Sequence, residues 1–268
     1  MSSTCTFEPG NACSISAAIS PVLGMRRRLA AALSETILTG AAAYNDCMSY
    51  WIVFLIIPLG LGFLAQAWVK SAFASGSKVQ SASGLTGAQV SRRLLDSGGL
   101  TNVGVESIGG SLSDHYDPRG KVMRLSEPVG NSSSIAAIAV AAHETGHAFQ
   151  DAKHDASFRL RSSLVPAVGF ASNIWMIPFF LGFFAQSAGL IYIAIALFAC
   201  VVAFSLVTLP VEFGASKRAM SMLTAQGIIT PTEAPVARRV LTAAAFTYIV
   251  AALISIMQIV YLLGVARR

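Results

Sequence analysis

Four long apolar runs constrain the fold of this chain more than any other feature. They cover residues 50–69, 164–186, 188–209 and 243–265, and none of them contains Asp, Glu, Lys, Arg or His. About 20 apolar residues in a helix match the roughly 30 Å hydrocarbon core of a bilayer. Because backbone groups in lipid must be paired within their own segment, we expect each run to be a transmembrane helix.

The composition supports an integral, multi-pass membrane protein. The 268 residues are 54% hydrophobic and only 12% charged, with a mean hydropathy of +0.63. Soluble domains carry about 25% charged residues. The net charge of +6 does not indicate nucleic-acid binding, because no basic stripe is interleaved with aromatic residues. The expected partners are therefore the lipid bilayer and a substrate, and not nucleic acid.

The spacing of the runs predicts the topology. The second and third runs are separated by so short an apolar link, at residues 187–189, that they form a hairpin. The polar segments 70–163 and 210–242 then lie on one face, and they contain fourteen of the nineteen Lys and Arg residues. By the positive-inside rule this face is cytoplasmic, or faces the matrix or stroma in an organelle.

The organisation along the chain follows from these runs. We divide it into an N-terminal extension (1–47), a first span (48–69), a long polar insert (70–163), a hairpin of two spans (164–209), a loop or helix (210–242), and a fourth span with a basic C-terminus (243–268). The extension is rich in Ser, Thr and Ala with a basic cluster at residues 26–28, as in a transit peptide. The alternative is a tail or a start-codon error, since Met48 directly precedes the first span.

The insert is predicted to be an α+β unit. Apolar spacing indicates a helix over residues 86–97 that ends at a pair of glycines. Short β-type runs at 103–108, 111–116 and 121–126, separated by turn signals, predict a small antiparallel sheet. Ser134 and its neighbours supply N-cap candidates for a helix over 134–151.

That last helix carries the chemistry. Its sequence His143-Glu144-Thr145-Gly146-His147 is an HExxH pattern, in which two histidines at i and i+4 share one helix face. Such a face binds zinc, and Glu144 stands beside the ion as a general base. The alternative is that both histidines lie in a packed core. Four cysteines (Cys5, Cys13, Cys47 and Cys200) form no CxxC pair and are expected neither as ligands nor as a disulfide framework.

A catalytic zinc site needs a third protein ligand. The metzincin pattern HExxHxxGxxH is excluded, because Gln150 and Lys153 occupy the positions of its glycine and last histidine. Glu212 suits the role, since it follows the hairpin on the same face and Pro210 fits the first turn of a new helix. The alternative for Glu212 is a carboxylate favoured by a helix N-terminus. Three weaker candidates are Glu127, Asp151 and Asp155.

Five segments in order carry a resemblance to a known family: GLTGA at 84–88, LSDHYDP at 112–118, RLS at 124–126, AAHETGHA at 141–148 and LPVEF at 209–213. From about residue 50 to the C-terminus, the chain resembles the membrane-bound neutral zinc metallopeptidases of the YugP type. It is also distantly similar to the gluzincin-like HtpX type, in which a glutamate on a later helix is the third ligand.

The resemblance implies one Zn²⁺ per chain, held by His143, His147 and Glu212, with Glu144 as the catalytic residue. It implies a zincin-like α+β catalytic insert among the four transmembrane helices. The chain departs from the family pattern at Gly214, where an acid or amide is expected, at Ser216, where the HtpX type has an aspartate, and at 129–132, which lack a tyrosine.

The expected function is hydrolysis of peptide bonds in protein or peptide substrates, in membrane protein quality control. His115 and Tyr116 are candidate donors to the reaction oxyanion, and an edge of the sheet is a candidate surface for an extended substrate. The alternative function is a non-catalytic zinc-binding membrane scaffold, against which Glu144 argues. A transporter is a third hypothesis, but the spans lack ionisable residues.

Overall fold

The computed structural model describes residues 52–266 of the chain. In order, its elements are α1 (Ile57–Gly76, preceded by a π-helical stretch Ile52–Ile56), α2 (Gly87–Ser97), β1 (Gly104–Ile108), β2 (His115–Asp117), β3 (Val122–Ser126), α3 (Glu127–Gly130), α4 (Ile135–Ala152), α5 (Ala156–Ile174), α6 (Met176–Phe184), α7 (Ala188–Ala225) and α8 (Ala234–Ala266). The predictions for residues 1–47 lie outside the described residues.

Four helical segments are long and apolar enough to cross a membrane, as the sequence predicts. They are Ile52–Gly76, Ala156–Phe184, Ala188–Ala225 and Ala234–Ala266, and the second of them is divided at Trp175 into α5 and α6. Large apolar side chains on these helices are exposed, among them Phe63 at 74% and Phe184 at 79%. A surface of this kind is stable against lipid and not against water. The chain is therefore a mainly α membrane protein.

The third span continues far beyond its predicted end at residue 209. α7 is a single helix of 38 residues, and Pro210 lies inside it and not at the first turn of a new helix. A proline removes one backbone donor, and in a packed membrane bundle neighbouring groups tolerate this loss. Glu212 is therefore attached to the membrane-spanning bundle by continuous helix, and not by a loop.

The insert packs its helices around α4. Thr86 and Gln89 form a capping box that starts α2, and the Ser134 hydroxyl caps α4 by accepting a hydrogen bond from the amide of Ala137. α4 is buried on almost all sides, which its run of alanines permits. It contacts α2, α7 and α8, so the predicted metal helix lies between the insert and the membrane-spanning helices.

The sheet is mixed, which corrects the prediction of a wholly antiparallel sheet. The strand order is β1-β3-β2, with β2 antiparallel and β1 parallel to β3. β3 is the central strand because it is the most apolar, and four of its five residues are buried. The segment predicted as the strand 111–116 contributes only its last two residues to β2, since Leu112 has a positive φ of 57°.

Gly146 marks the closest approach of α4 to α7. A Cβ atom at this position would lie 2.8 Å from the carbonyl oxygen of Ala215, which is closer than real Cβ atoms approach. The absent side chain therefore lets the two helices meet next to His147. Because Glu212 lies one turn from Ala215 on α7, this contact also sets the distance between the two elements of the metal centre described below.

We expect Gly146→Ala to lower the free energy of unfolding by about 1–3 kcal/mol, because overpacking forces the helices apart. The zinc content should fall with it, since Glu212 would move away from α4. Thermal unfolding and metal analysis in detergent would measure both effects. The control is Gly169→Ala, where no atom lies within 4 Å of the added Cβ. An unchanged melting temperature in Gly146→Ala would contradict the close packing.

Candidate metal centre

α4 presents its two predicted ligands from one face. His143 and His147 lie one turn apart, and their ring centroids are 4.8 Å from each other at an interplanar angle of 87°. His147 is 6% exposed, and the ring of Phe158 on α5 lies 5.9 Å away. The helix thus holds both imidazoles at the edge of the core, facing α7.

α7 brings Glu212 to these rings, although it is 69 residues away from His143 in sequence. Its Oε2 atom is 3.1 Å from Nε2 of His143 and 3.6 Å from Nε2 of His147. The carboxylate is buried, at 1% exposure. One ligand atom from each of the three residues lies within 4.8 Å of the others, so the group could hold a metal ion.

Gln150 fixes the protonation of His147. The amide nitrogen of Gln150 donates to the carbonyl oxygen of Val211, 2.8 Å away, so its amide oxygen faces Nδ1 of His147, also at 2.8 Å. An amide oxygen only accepts hydrogen bonds, so Nδ1 of His147 carries the proton. In the neutral ring, Nε2 therefore presents a lone pair toward Glu212, which is the arrangement of a metal-ligating histidine.

Two further contacts complete this arrangement. Nδ1 of His143 lies 3.1 Å from the hydroxyl of Ser216, one turn beyond Glu212 on α7. The other carboxylate oxygen of Glu212 is 3.3 Å from the guanidinium of Arg161 on α5. The Nε2 lone pair of His147 and the carboxylate oxygen of Glu212 repel each other at 3.6 Å, and a cation between them relieves this repulsion. The donor set is that of a two-histidine, one-glutamate zinc site.

Glu144 lies beside the ligand cluster without joining it. One of its carboxylate oxygens accepts a hydrogen bond of 3.1 Å from the backbone amide of Tyr116 on β2. Burial of the Glu144 carboxyl group raises its pKa to about 7, and the neighbouring His143 opposes this increase. A carboxyl group with a pKa near neutral can both accept and return a proton at physiological pH.

The two predicted oxyanion donors, Tyr116 and His115, both have hydrogen-bond partners within the protein. The phenol of Tyr116 donates to Asp151 at 2.7 Å, and burial together with this carboxylate raises its pKa. That hydroxyl is therefore engaged away from the ligand cluster. Nδ1 of His115 donates to the carbonyl of Ser113 at 2.9 Å, which leaves Nε2 of a neutral ring as an acceptor. His115 could thus donate to an oxyanion only when it is protonated.

The weaker ligand candidates lie apart from the cluster. Asp151 binds Tyr116 and the ammonium of Lys121. Asp155 caps α5 by accepting hydrogen bonds from two amides of its first turn. Glu127 begins α3 and is exposed. None of them belongs to the group of potential ligands found within residues 52–266.

A cavity of about 530 Å³ opens over the ligand cluster. Its wall includes the cluster itself, Glu144, β2 and the Asp117–Arg119 turn, together with Arg161 and Tyr248. No local sequence motif marks these last two residues, which reach the site from the candidate spans α5 and α8. Ser216 and Gln150 were noted only as departures from known patterns, although their helical spacing of i+4 and i+3 from a ligand was a usable signal.

Comparisons with known proteins show the family of the chain. The sequence profile of a family described as "Putative neutral zinc metallopeptidase" matches residues 51–267. The chain is also similar to the "Putative membrane protease YugP" of Bacillus subtilis (strain 168), with 46% identity over 209 residues, or 78% of this chain and 93% of the relative. No solved structure matches the chain.

Proposed function

The chain belongs to the neutral zinc metallopeptidase family, and on this premise we propose that it is a membrane-bound, zinc-dependent peptidase that hydrolyses peptide bonds of protein or peptide substrates. We assign His143, His147 and Glu212 as the zinc ligands, with one Zn²⁺ per chain. Glu144 is the catalytic residue, and the reaction takes place at the membrane surface.

One observation carries the proposal. The hydrogen bond that Nδ1 of His147 donates to Gln150 directs the Nε2 lone pair of the ring at the Glu212 carboxylate, where a bound cation relieves the repulsion. A structural zinc site usually has four protein ligands, whereas a catalytic site has three and leaves a position open. Here three ligands face a cavity of about 530 Å³, which gives water and substrate access to the fourth position.

We assign each side chain around the site a separate role in hydrolysis. When bound, zinc supplies a Lewis acid that acidifies water and polarises a carbonyl group. Glu144 takes the proton from the attacking water and delivers it to the leaving nitrogen. The leaving group therefore departs as a neutral amine and not as an anion. The amide of Tyr116 holds the Glu144 carboxylate in place for both transfers. Arg161 neutralises the oxygen of Glu212 that faces away from the histidines.

The β2 strand offers a surface for the substrate backbone. It pairs only with β3 among the described residues, and its Tyr116 amide points at Glu144. An extended peptide lying along its free edge would be held by main-chain hydrogen bonds, which demand little of the peptide sequence. Broad specificity would suit a role in membrane protein quality control. The basic residues of the two polar segments favour the cytoplasmic face, or the matrix or stromal face, for the site.

Removing the zinc and then adding it back would test the proposal. Protein purified in detergent should contain about one zinc per chain and should cleave an unstructured substrate such as casein. A chelator such as 1,10-phenanthroline should reduce cleavage to background, and added Zn²⁺ should restore it. Cleavage that survives complete loss of metal would contradict the proposal. Full zinc occupancy without cleavage of any unstructured substrate would favour the alternative of a zinc-binding scaffold.

A further inference from the structure

A second cavity reaches the catalytic residue from the membrane side. It measures about 240 Å³ and shares four wall residues with the larger cavity, Asp114, His143, Glu144 and Tyr248. Its remaining walls come mainly from α1 and α8, which are two of the candidate spans. Glu144 therefore lies where a cavity between membrane helices meets a cavity bordered by the sheet.

The direction of this second cavity follows from the two helices. α1 ends at the insert and α8 begins on the same face, so residues early in α1 and late in α8 lie deeper in the bilayer. The cavity follows α1 from Phe73 down to Gln66, which is about 10 Å at 1.5 Å per residue. On α8 it continues down to Tyr248. The rings of Trp68 and Phe246, 4.9 Å apart, show that the two helices face each other at this depth.

Polar groups lie at the deep end of this otherwise apolar cavity. Gln66 is exposed, and its amide makes no hydrogen bond with any residue in the described range 52–266. Opposite it, the hydroxyl of Thr247 donates to the carbonyl of Ala244 and keeps its acceptor lone pairs free. The exposed carboxamide of Gln66 is available to a ligand in the cavity. A carboxamide has both donors and an acceptor, which matches an unpaired peptide group.

We infer that this cavity admits an unwound apolar segment of a membrane-inserted polypeptide, and that Gln66 binds the backbone of that segment as it approaches Glu144. The inference rests on the proposed peptidase function and specifies its substrate class. A substrate chain would leave the bilayer between α1 and α8, cross the metal centre, and continue along β2 toward the Asp117–Arg119 turn.

Pairing with the free edge of β2 requires the segment to be unwound, because a peptide adds to a sheet edge as an extended strand. In an apolar environment the freed peptide groups of an extended segment need partners. Gln66 and Thr247 are the groups that can supply them at the membrane end.

The test compares one cleavable sequence in two forms, both assayed with the protein in phosphatidylcholine proteoliposomes. The first form is a soluble casein-derived peptide, and the second is the same peptide fused to an inserted polyleucine span. In Gln66→Leu, the ratio of kcat/KM for the anchored form to that for the soluble form should fall about tenfold, which is the loss expected for one buried hydrogen bond. Ala244→Phe, which narrows the cavity from α8, should lower the ratio in the same direction.

The matched control is Gln258→Leu, the same substitution in α8 at a position outside both cavities. It should leave the ratio unchanged, and zinc content should stay at about one per chain in every variant. An unchanged ratio in both Gln66→Leu and Ala244→Phe would overturn the inference, as would a wild-type protein that cuts only the soluble form. Failure of the wild type to cut either form would instead refute the peptidase function itself.

Discussion

Glu144→Gln is expected to abolish peptide cleavage while leaving the protein loaded with zinc. The amide has nearly the shape of the carboxylate, but it cannot take a proton from water or return one to the leaving amine. General acid–base catalysis contributes about 10²–10⁴-fold to rates, so kcat should fall by at least two orders of magnitude. The zinc ligands are untouched, and metal analysis should still find about one zinc per chain.

Purified wild type and variant would be compared for zinc content and for initial rates on an unstructured substrate. Glu106→Gln is a suitable control, because this exposed glutamate on β1 is far from the ligand cluster and should behave as the wild type does. The inactive variant should also retain bound substrate, which could then be identified. Undiminished cleavage by Glu144→Gln would exclude Glu144 as the general base.

Glu212→Ala is expected to weaken zinc binding by more than about 100-fold, since the loss of a mere outer partner of a ligand already costs 10–100-fold. Among residues 52–266, Glu212 has the only carboxylate that contacts both histidine rings, and its removal leaves the half-buried Arg161 without this ion-pair partner. Competition with a chelator of known affinity would measure the change. Cleavage should be lost at low zinc and recover in part when excess zinc is supplied.

The control for this substitution is Glu127→Ala, which removes a glutamate that was itself a candidate ligand from the sequence. Its side chain is exposed at the start of α3, and we expect wild-type zinc affinity. If Glu127→Ala lost zinc and Glu212→Ala kept it, the third ligand would have been assigned to the wrong glutamate.

The four spans were predictable because a segment that crosses lipid must be apolar over its whole length. A segment without charges and with about 20 apolar residues has few stable structures other than a transmembrane helix. The metal helix was predictable for a related reason, since Ser134 is an effective cap and the histidines repeat at helical spacing. The structure also brings Glu212 to these histidines, as expected from the family resemblance and the topology of the hairpin.

Other features depend on contacts that no local pattern encodes. Proline usually ends a helix, so the sequence around Pro210 favoured a break, whereas packing against α8, α5 and α4 holds α7 as one continuous helix. The order of the strands could not be predicted from the sequence pattern either. Glycines after β1 suggested a hairpin, whereas burial of β3 places it between the other two strands.

The contacts around the ligands were also not predictable from local sequence patterns. Tyr116 was predicted as an oxyanion donor from its position near the motif, but its phenol is bound to Asp151 and its backbone amide holds Glu144. Gln150 was read only as a mismatch to the metzincin pattern. Its hydrogen bond to Val211 crosses from α4 to α7, and this long-range contact gives it a role in orienting His147.

The origin of the ligands in two different elements has a thermodynamic consequence. His143 and His147 belong to the polar insert, whereas Glu212 belongs to a helix that is continuous with a membrane span. A zinc ion bound to all three is a cross-link that closes a loop of about 70 residues, and the unfolded chain lacks it. By mass action, free zinc at 100 times its dissociation constant would add about 2.7 kcal/mol to the free energy of unfolding. Zinc supply would thus set the stability of the folded insert as well as its activity.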